Sequence, residues 1–256
     1  MPTLPSLFIS HGAPDLPIRK GSTQTFLQQL GNTLPIPRAI LVISAHWLTA
    51  VPTVSTNKQP KTVYDFGGFP LELYQLNYPA PGDPALASRV VELFTAADWS
   101  VKTNATHGFD HGVWTPLILT YPNANIPVVS LSLQPSHGPK YHWQLGKLLA
   151  PLRSEGVLIL GSGAATHNLR AFSDYGASPP HWAKEFDNWL TTTIHDNDIG
   201  SLLNYRKQAP YAVQNHPTEE HLLPLFVALG AGGLGEQIHQ GFTYGAFSMS
   251  AFAFGD

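Results

Sequence analysis

The chain has 256 residues, 43% hydrophobic and 12% charged; that length can bury a sizeable core, and the hydrophobic share argues against a disordered chain. A formal net charge of -3, with no Lys/Arg cluster, removes the electrostatic footprint that nucleic-acid binding needs. There is no cysteine, so disulfides and thiolate metal sites are excluded and any metal must be held by nitrogen and oxygen.

In chain order, short apolar runs bounded by turn residues predict strands at Leu7–Ser10, Ala39–Ala45, Val51–Ser55, Ser100–Thr103, Val128–Leu133 and Val157–Gly161. The closing "GFTYGAFSMSAFAFG" alternates apolar and small residues as a late strand or hairpin does. Helical patterns lie between the strands. Ser22 is placed to cap "STQTFLQQLG", which Gly31 stops, and Asp83 to cap "DPALASRVVELFTAAD". The stretches "KYHWQLGKLLAPLRSE", "PHWAKEFDNWLTTTIHD" and "PTEEHLLPLFVALGAGG" supply three more helices. In the last of these Pro217 suits the first helical position, which places His221 about one turn inside.

This alternation implies an α/β fold: a single domain over residues 1–256 with a mixed central sheet flanked by helices on both faces. The segment "NKQPKTVYDFGGFPLELYQLNYPAPGDP" reads as a long ordered loop that roofs a pocket, or as a plain surface crossover. No apolar run approaches bilayer length, and "MPTLPSLFIS" lacks a basic segment followed by a long apolar one. The expectation is a soluble, cytoplasmic protein with no membrane partner.

Twelve histidines among so few charges make histidine the residue to follow. His11 in "ISHGAP" and His46 in "SAHW" each end a strand candidate. Either alone reads as a strand-end residue bonding a loop, but ligands of α/β sheets gather at the carboxyl ends of strands. His167 follows a third strand and a Gly/Ala turn in "LILGSGAATHNL". The segment "NHPTEEHLLPL" offers His221, which a helix could aim at those strand ends, and His216, better placed as a cap, a supporting partner or an alternative ligand. Glu219 and Glu220 offer a carboxylate or simply complement the helix N-terminus.

In "THGFDHGVW" two glycines and Asp110 argue against a helix, so His107 and His111 fall on a loop suited to substrate contact. His137, His142, His181, His195 and His239 lack comparable settings and read as surface or ordinary core residues. "GSGAATHN" lacks the Lys-Ser/Thr of a phosphate loop, and Ser162 lacks the flanks of a nucleophile elbow.

With "SHGAP", "SAHW", "YDFGGFP", "HGFDHGVWTPL", "GSGAATHNL" and "HPTEEHLLPL" in this order, essentially the whole chain resembles the DOPA-type extradiol ring-cleaving dioxygenases, related to protocatechuate 4,5-dioxygenase. The resemblance implies one divalent metal, Zn(II) or Fe(II), held by His11, His46 and His221. His167 would be a catalytic acid/base that also touches the metal, and His111 would hydrogen-bond the reacting oxygen. The substrates would be a small-molecule catechol such as L-DOPA and O2, with Tyr64, Phe66 and Phe69 packing on the ring and His107 nearby. The wider class uses two histidines and a glutamate, whereas the third position here is histidine. That set is neutral, leaves the metal more electrophilic and suits Zn(II) as well as Fe(II). The alternatives are a zinc hydrolase, for which Asp15, Asp65 and Asp110 are the candidate bases, and a non-enzymatic metal-binding interaction module.

Overall fold

The computed structural model describes residues 3–255; Met1, Pro2 and Asp256, the ends of the expected domain and of the N-terminal stretch, lie outside them. In chain order the strands are β1 (Ser6–Ser10), β2 (Ala39–Leu48), β3 (Thr53–Ser55), β4 (Lys102–Asn104), β5 (Val128–Leu133), β6 (Val157–Gly163), β7 (Gly235–His239), β8 (Phe242–Thr243), β9 (Phe247–Ser248) and β10 (Ala251–Phe254). The helices are α1 (Ser22–Thr33), α2 (Pro84–Ala96), α3 (His111–Thr120), α4 (Gly138–Leu149), α5 (Pro151–Ser154), α6 (His181–His195), α7 (Ile199–Leu203), α8 (Tyr205–Gln208), α9 (Ala212–Asn215) and α10 (Leu223–Gly232).

Eight strands form one sheet in the order β4-β3-β5-β2-β6-β1-β10-β7, and β8 and β9 make a separate small hairpin. The central strands β5, β2, β6 and β1 run parallel, while β10 is antiparallel to β1 and to β7. The carboxyl ends of β1, β2 and β6 therefore emerge side by side on one edge of the sheet. Side chains alternate across it: Leu41 and Ile43 face a core shared with α2, α4, α6 and α10, and Ile40 and Val42 face one shared with α1 and α3. The mixed sheet with helices on both faces is as the sequence pattern implies.

Several boundaries differ from expectation for identifiable reasons. Gly21, not Ser22, occupies the cap position of α1, and no side chain bonds there. Gly31 does not stop that helix; a Cβ there would stand 2.2 Å from the Thr120 carbonyl oxygen, so its smallness lets α1 lie against the end of α3. Asp83 does cap α2, accepting from Ala85 N and Leu86 N at 3.0 Å each. The strand expected at Val51 begins at Thr53, and the one expected at Ser100 begins at Lys102. The edge strand β7, polar and half-buried, carries too little apolar signal to be read.

Two differences bear on the site. A helix, α3, begins at His111 where a loop was expected, because "VWTPLILT" is buried at every position but Ile118. Gly112 serves close approach there, since its Cβ would meet Ser44 Oγ at 2.4 Å. His221 lies not one turn inside a helix but in the turn just before α10, which starts at Leu223. That turn sits on the end of β6: Ala164 N bonds His221 O at 2.8 Å, and a Cβ on Gly163 would stand 2.1 Å from the same oxygen. Gly163→Ala should therefore displace the His221 turn and cost about 1–3 kcal/mol of stability. Thermal unfolding checks this as a lower Tm, by about 2–4 °C per kcal/mol at this chain length.

Candidate metal centre

The three strand ends and the turn before α10 converge. His11 directly follows β1. His46 lies in the irregular part of β2, where the register with β5 slips between Ile43 and Leu48 while pairing with β6 ends at Ser44. The His11 ring centroid is 5.0 Å from that of His46, 5.6 Å from that of His221 and 5.3 Å from that of His111. One ring nitrogen from each of His11, His46 and His221 lies within 4.8 Å of the other two.

Tautomers follow from the partners. Ser162 Oγ donates its single proton to Gly112 O, so it can only accept from His11 Nδ1 at 3.0 Å. Nδ1 of His46 lies 3.5 Å from Asp65 Oδ2, and Nδ1 of His221 lies 3.0 Å from Glu220 Oε1. Hydrogen bonding at Nδ1 leaves Nε2 of His11 and of His221 as an inward acceptor, and His46 turns Nδ1 toward the Asp65 carboxylate and Nε2 inward. His11 Nε2 and His46 Nε2 are only 3.1 Å apart. Nitrogens binding one metal at about 2.1 Å stand about 3.0–3.4 Å apart. The donor set fits a divalent cation.

Two further groups lie within the same reach, His46 with Asp65 and His111, and His167 with Glu220 and His221. Their carboxylates are already engaged. Asp65 Oδ1 accepts from both the backbone N and Nδ1 of His111, at 2.9 and 3.0 Å, and Glu220 Oε1 accepts from His221 and from Thr218 Oγ1. They orient imidazoles, as outer partners of a metal site do.

Burial keeps these rings uncharged. Desolvation, reinforced by the neighbouring histidines, holds His11 and His221 well below the ordinary histidine pKa. Burial and the nearby His111 bring His46 to about 3. Burial also lowers His167 to about 4. Desolvation pulls Asp65 upward, but His111 and His46 outweigh it and hold the carboxyl at about 2.

The rings open on a cavity of about 260 Å3 lined by His11, His46, His111, His167 and His221 with Phe66, Phe69, Leu169, Phe172 and Phe247 as its larger apolar walls. The long loop does roof it, through Phe66 and Phe69. Tyr64 stands one layer back, edge-on to Phe66, with its hydroxyl donating to Leu76 O. His107 is not in the lining; it stacks on Trp47 at 3.6 Å, which corrects the expectation of substrate contact. His167 lies face to face on His221 at 3.4 Å and is outside the His11, His46 and His221 group, so contact with the same metal is not what its position shows. His216 is buried elsewhere, its Nε2 donating to Ala165 O at 2.8 Å, and supports the loop that carries His167. Of the remaining histidines, His142 is a satisfied core residue between Gly138 O and Gln134 N.

Sequence reasoning missed Ser162 as a support for His11, and it missed Asp187. That buried carboxylate accepts from Ser248 Oγ at 2.5 Å and Ser250 Oγ at 2.9 Å. Ser10 Oγ donates to Ser250 O and accepts from Ala165 N, and Thr166 Oγ1 donates to Ala246 O and accepts from Ser248 N. One polar network thereby joins the residues next to His11, those next to His167 and the hairpin that supplies Phe247. The serines of "SMS" beside the last strand are its only mark in the sequence.

The whole chain answers to this picture. Residues 5–255 match the family described as the catalytic LigB subunit of aromatic ring-opening dioxygenase. The chain belongs to this family. It is 41% identical to a Beta vulgaris protein named 4,5-DOPA dioxygenase extradiol, over 97% of this chain and 96% of that one. It is 40% identical to an Escherichia coli K12 protein of the same name, over 98% and 95%. A crystal structure of an uncharacterized Escherichia coli K12 protein superposes with a TM-score of 0.82 at 36% identity, covering 98% of this chain and all of that one. Among the described residues no helix is long and apolar enough to cross a membrane.

The neutral histidines give this LigB-family protein a predictable acid response. Unfolded histidines titrate near 6.5, whereas burial holds His216 at about 3 and His142 at about 4 in the fold. Between those values the unfolded chain binds more protons, so stability is full above pH 6.5 and is lost as pH falls. Each such group removes up to about 1.4 kcal/mol per pH unit. Asp110, which burial raises to about 6, and Asp187, also raised by burial, act in the opposite sense. Thermal unfolding of the metal-free protein should give a Tm that is flat near pH 7–8 and falls steeply between pH 6 and 4.5.

Proposed function

We propose that the chain is a metal-dependent extradiol dioxygenase that inserts O2 into a catechol, L-DOPA or a related compound, to give a muconate semialdehyde. The observation that carries this reading is the pair of imidazole Nε2 atoms 3.1 Å apart, with a ring nitrogen of His221 within the same reach, facing an apolar cavity flanked by His167 and His111. The names of the Beta vulgaris and Escherichia coli relatives support the substrate class.

His11, His46 and His221 would hold the metal. Bound there, Fe(II) would supply a redox-active centre able to couple an electron-rich catechol to O2. Zn(II) fits the same neutral donors but has no redox chemistry. The chain's own residues do the rest. Phe66, Phe69, Phe172 and Phe247 enclose a flat ring and exclude water. His167, neutral at pH 7 and without a hydrogen-bond partner on its ring among the described residues, takes a catechol proton and later returns it. Asp65 fixes His111 with Nδ1 turned away from the cavity, so its Nε2 meets the reacting groups, accepting a proton or, once protonated, donating a hydrogen bond.

The carboxylates that could serve a hydrolase as base are turned to other partners: Asp65 accepts from His111, Asp15 from Arg19 and Tyr244, and Asp110 from Ser44 through Oδ1. None of the three lines the cavity.

Oxygen uptake with L-DOPA and a catechol panel decides between these readings. Protein reconstituted anaerobically with Fe(II) should consume O2 and form the yellow ring-opened product, and Zn(II)-loaded protein should not. No uptake by the iron form with any catechol would sink the assignment. His167→Ala should keep its metal by elemental analysis while losing about 100-fold or more in kcat; wild-type turnover in that variant would remove His167 from its role.

A further inference from the structure

The cavity walls carry no Lys, Arg, Asp or Glu. A catechol bearing a charged side chain would find no counter-charge inside it. Immediately beyond, a second cleft of about 190 Å3 shares His167 and Leu169 with the cavity and is lined further by Asn168, Arg170, Pro217, Thr218 and Glu220. His167 and Leu169 wall both spaces, which places a region of opposite charges beside the rim of the cavity.

Arg170 is unlike the other arginines. Arg19, Arg38, Arg89 and Arg206 pair with carboxylates, and Arg153 donates to backbone carbonyls. Among the described residues the Arg170 guanidinium has no partner. Its backbone is nevertheless held in place: Asn168 Oδ1 accepts from Arg170 N at 3.0 Å, and Asn168 Nδ2 donates to Gln214 O at 2.6 Å. Across the cleft Glu220 spends Oε1 on His221 and Thr218, which leaves Oε2 for a cation. The cleft thus offers an exposed guanidinium on a held backbone and a carboxylate oriented by His221 and Thr218 to a side chain of net zero charge.

Resting on the reading of the adjoining cavity as a catechol site, we propose that Arg170 is a specificity-determining residue that pairs with the carboxylate of a catechol's zwitterionic side chain, while Glu220 meets its ammonium. A guanidinium–carboxylate pair is the geometry arginine favours. Catechols carrying only one of the two charges, an amine or an acid, would leave the opposite group of the cleft uncompensated.

The test compares wild type, Arg170→Ala and Arg170→Lys as Fe(II) holoenzymes. Anaerobic titration gives Kd for L-DOPA, dopamine and 3,4-dihydroxyphenylpropionate, and steady-state oxygen uptake gives the kcat/KM ratio of L-DOPA over 4-methylcatechol. Wild type should bind L-DOPA more tightly than either singly charged analogue. Arg170→Ala should weaken L-DOPA binding about tenfold and lower the ratio by the same factor, chiefly through KM, with Tm held; Arg170→Lys should recover part of both. An unchanged Kd and ratio in Arg170→Ala would overturn the proposal. Binding without turnover of any catechol would count against the dioxygenase reading alone, since the Kd comparison still decides Arg170. Failure to bind any catechol would overturn both.

Discussion

Two imidazole Nε2 atoms are held 3.1 Å apart in a buried site, and the structure around them is arranged to keep them there. Each ring is oriented from its far side, His11 by the hydrogen bond of its Nδ1 to Ser162 and His46 by the Asp65 carboxylate 3.5 Å from its Nδ1. Burial completes the constraint by making protonation costly. What results has the geometry of a preorganised cation site: folding gathers the ring nitrogens, and a divalent ion held between them would take up their lone pairs.

Sheet geometry makes that arrangement possible. Parallel β1, β2 and β6 bring their carboxyl ends together, so His11, His46 and His167 share one edge although they are far apart in sequence. The fourth position comes from the other side, where glycines on β6 let the backbone before α10 sit almost on the strand. His221 reaches the site because Gly163 has no side chain. The Asp187 network then locks the loops beside His11 and His167 to the hairpin carrying Phe247, so the apolar wall and the polar centre are held by the same bonds.

Much of this was legible in the chain. The β1, β2, β5 and β6 strands are dense apolar runs that periodicity reads directly, and the histidines that end two of them stand out against a sparsely charged background. Legibility failed where one signal stood for another. Gly108, Gly112 and Asp110 look like a loop around His111, yet Gly112 is small because Ser44 lies against it, and a buried helix begins there. His107 carries the same local signature as His111 but its ring stacks on Trp47, a partner sixty residues away. Ser162 reads as a failed nucleophile motif, because its role depends on Gly112 O and His11 being brought to it.

The sequence by itself determined the chemistry available: nitrogen and oxygen ligands only, histidines in excess, a strand-and-helix alternation that gathers strand ends, and the ordered motifs of a ring-opening family. Tertiary structure alone decided which histidines share one centre, which ring nitrogen of each carries the proton, and which carboxylates are spent on orienting them. The reason is physical. Composition and periodicity are local properties, whereas a tautomer, a lone-pair contact and a lowered pKa each depend on groups that only folding places within a few ångströms of one another.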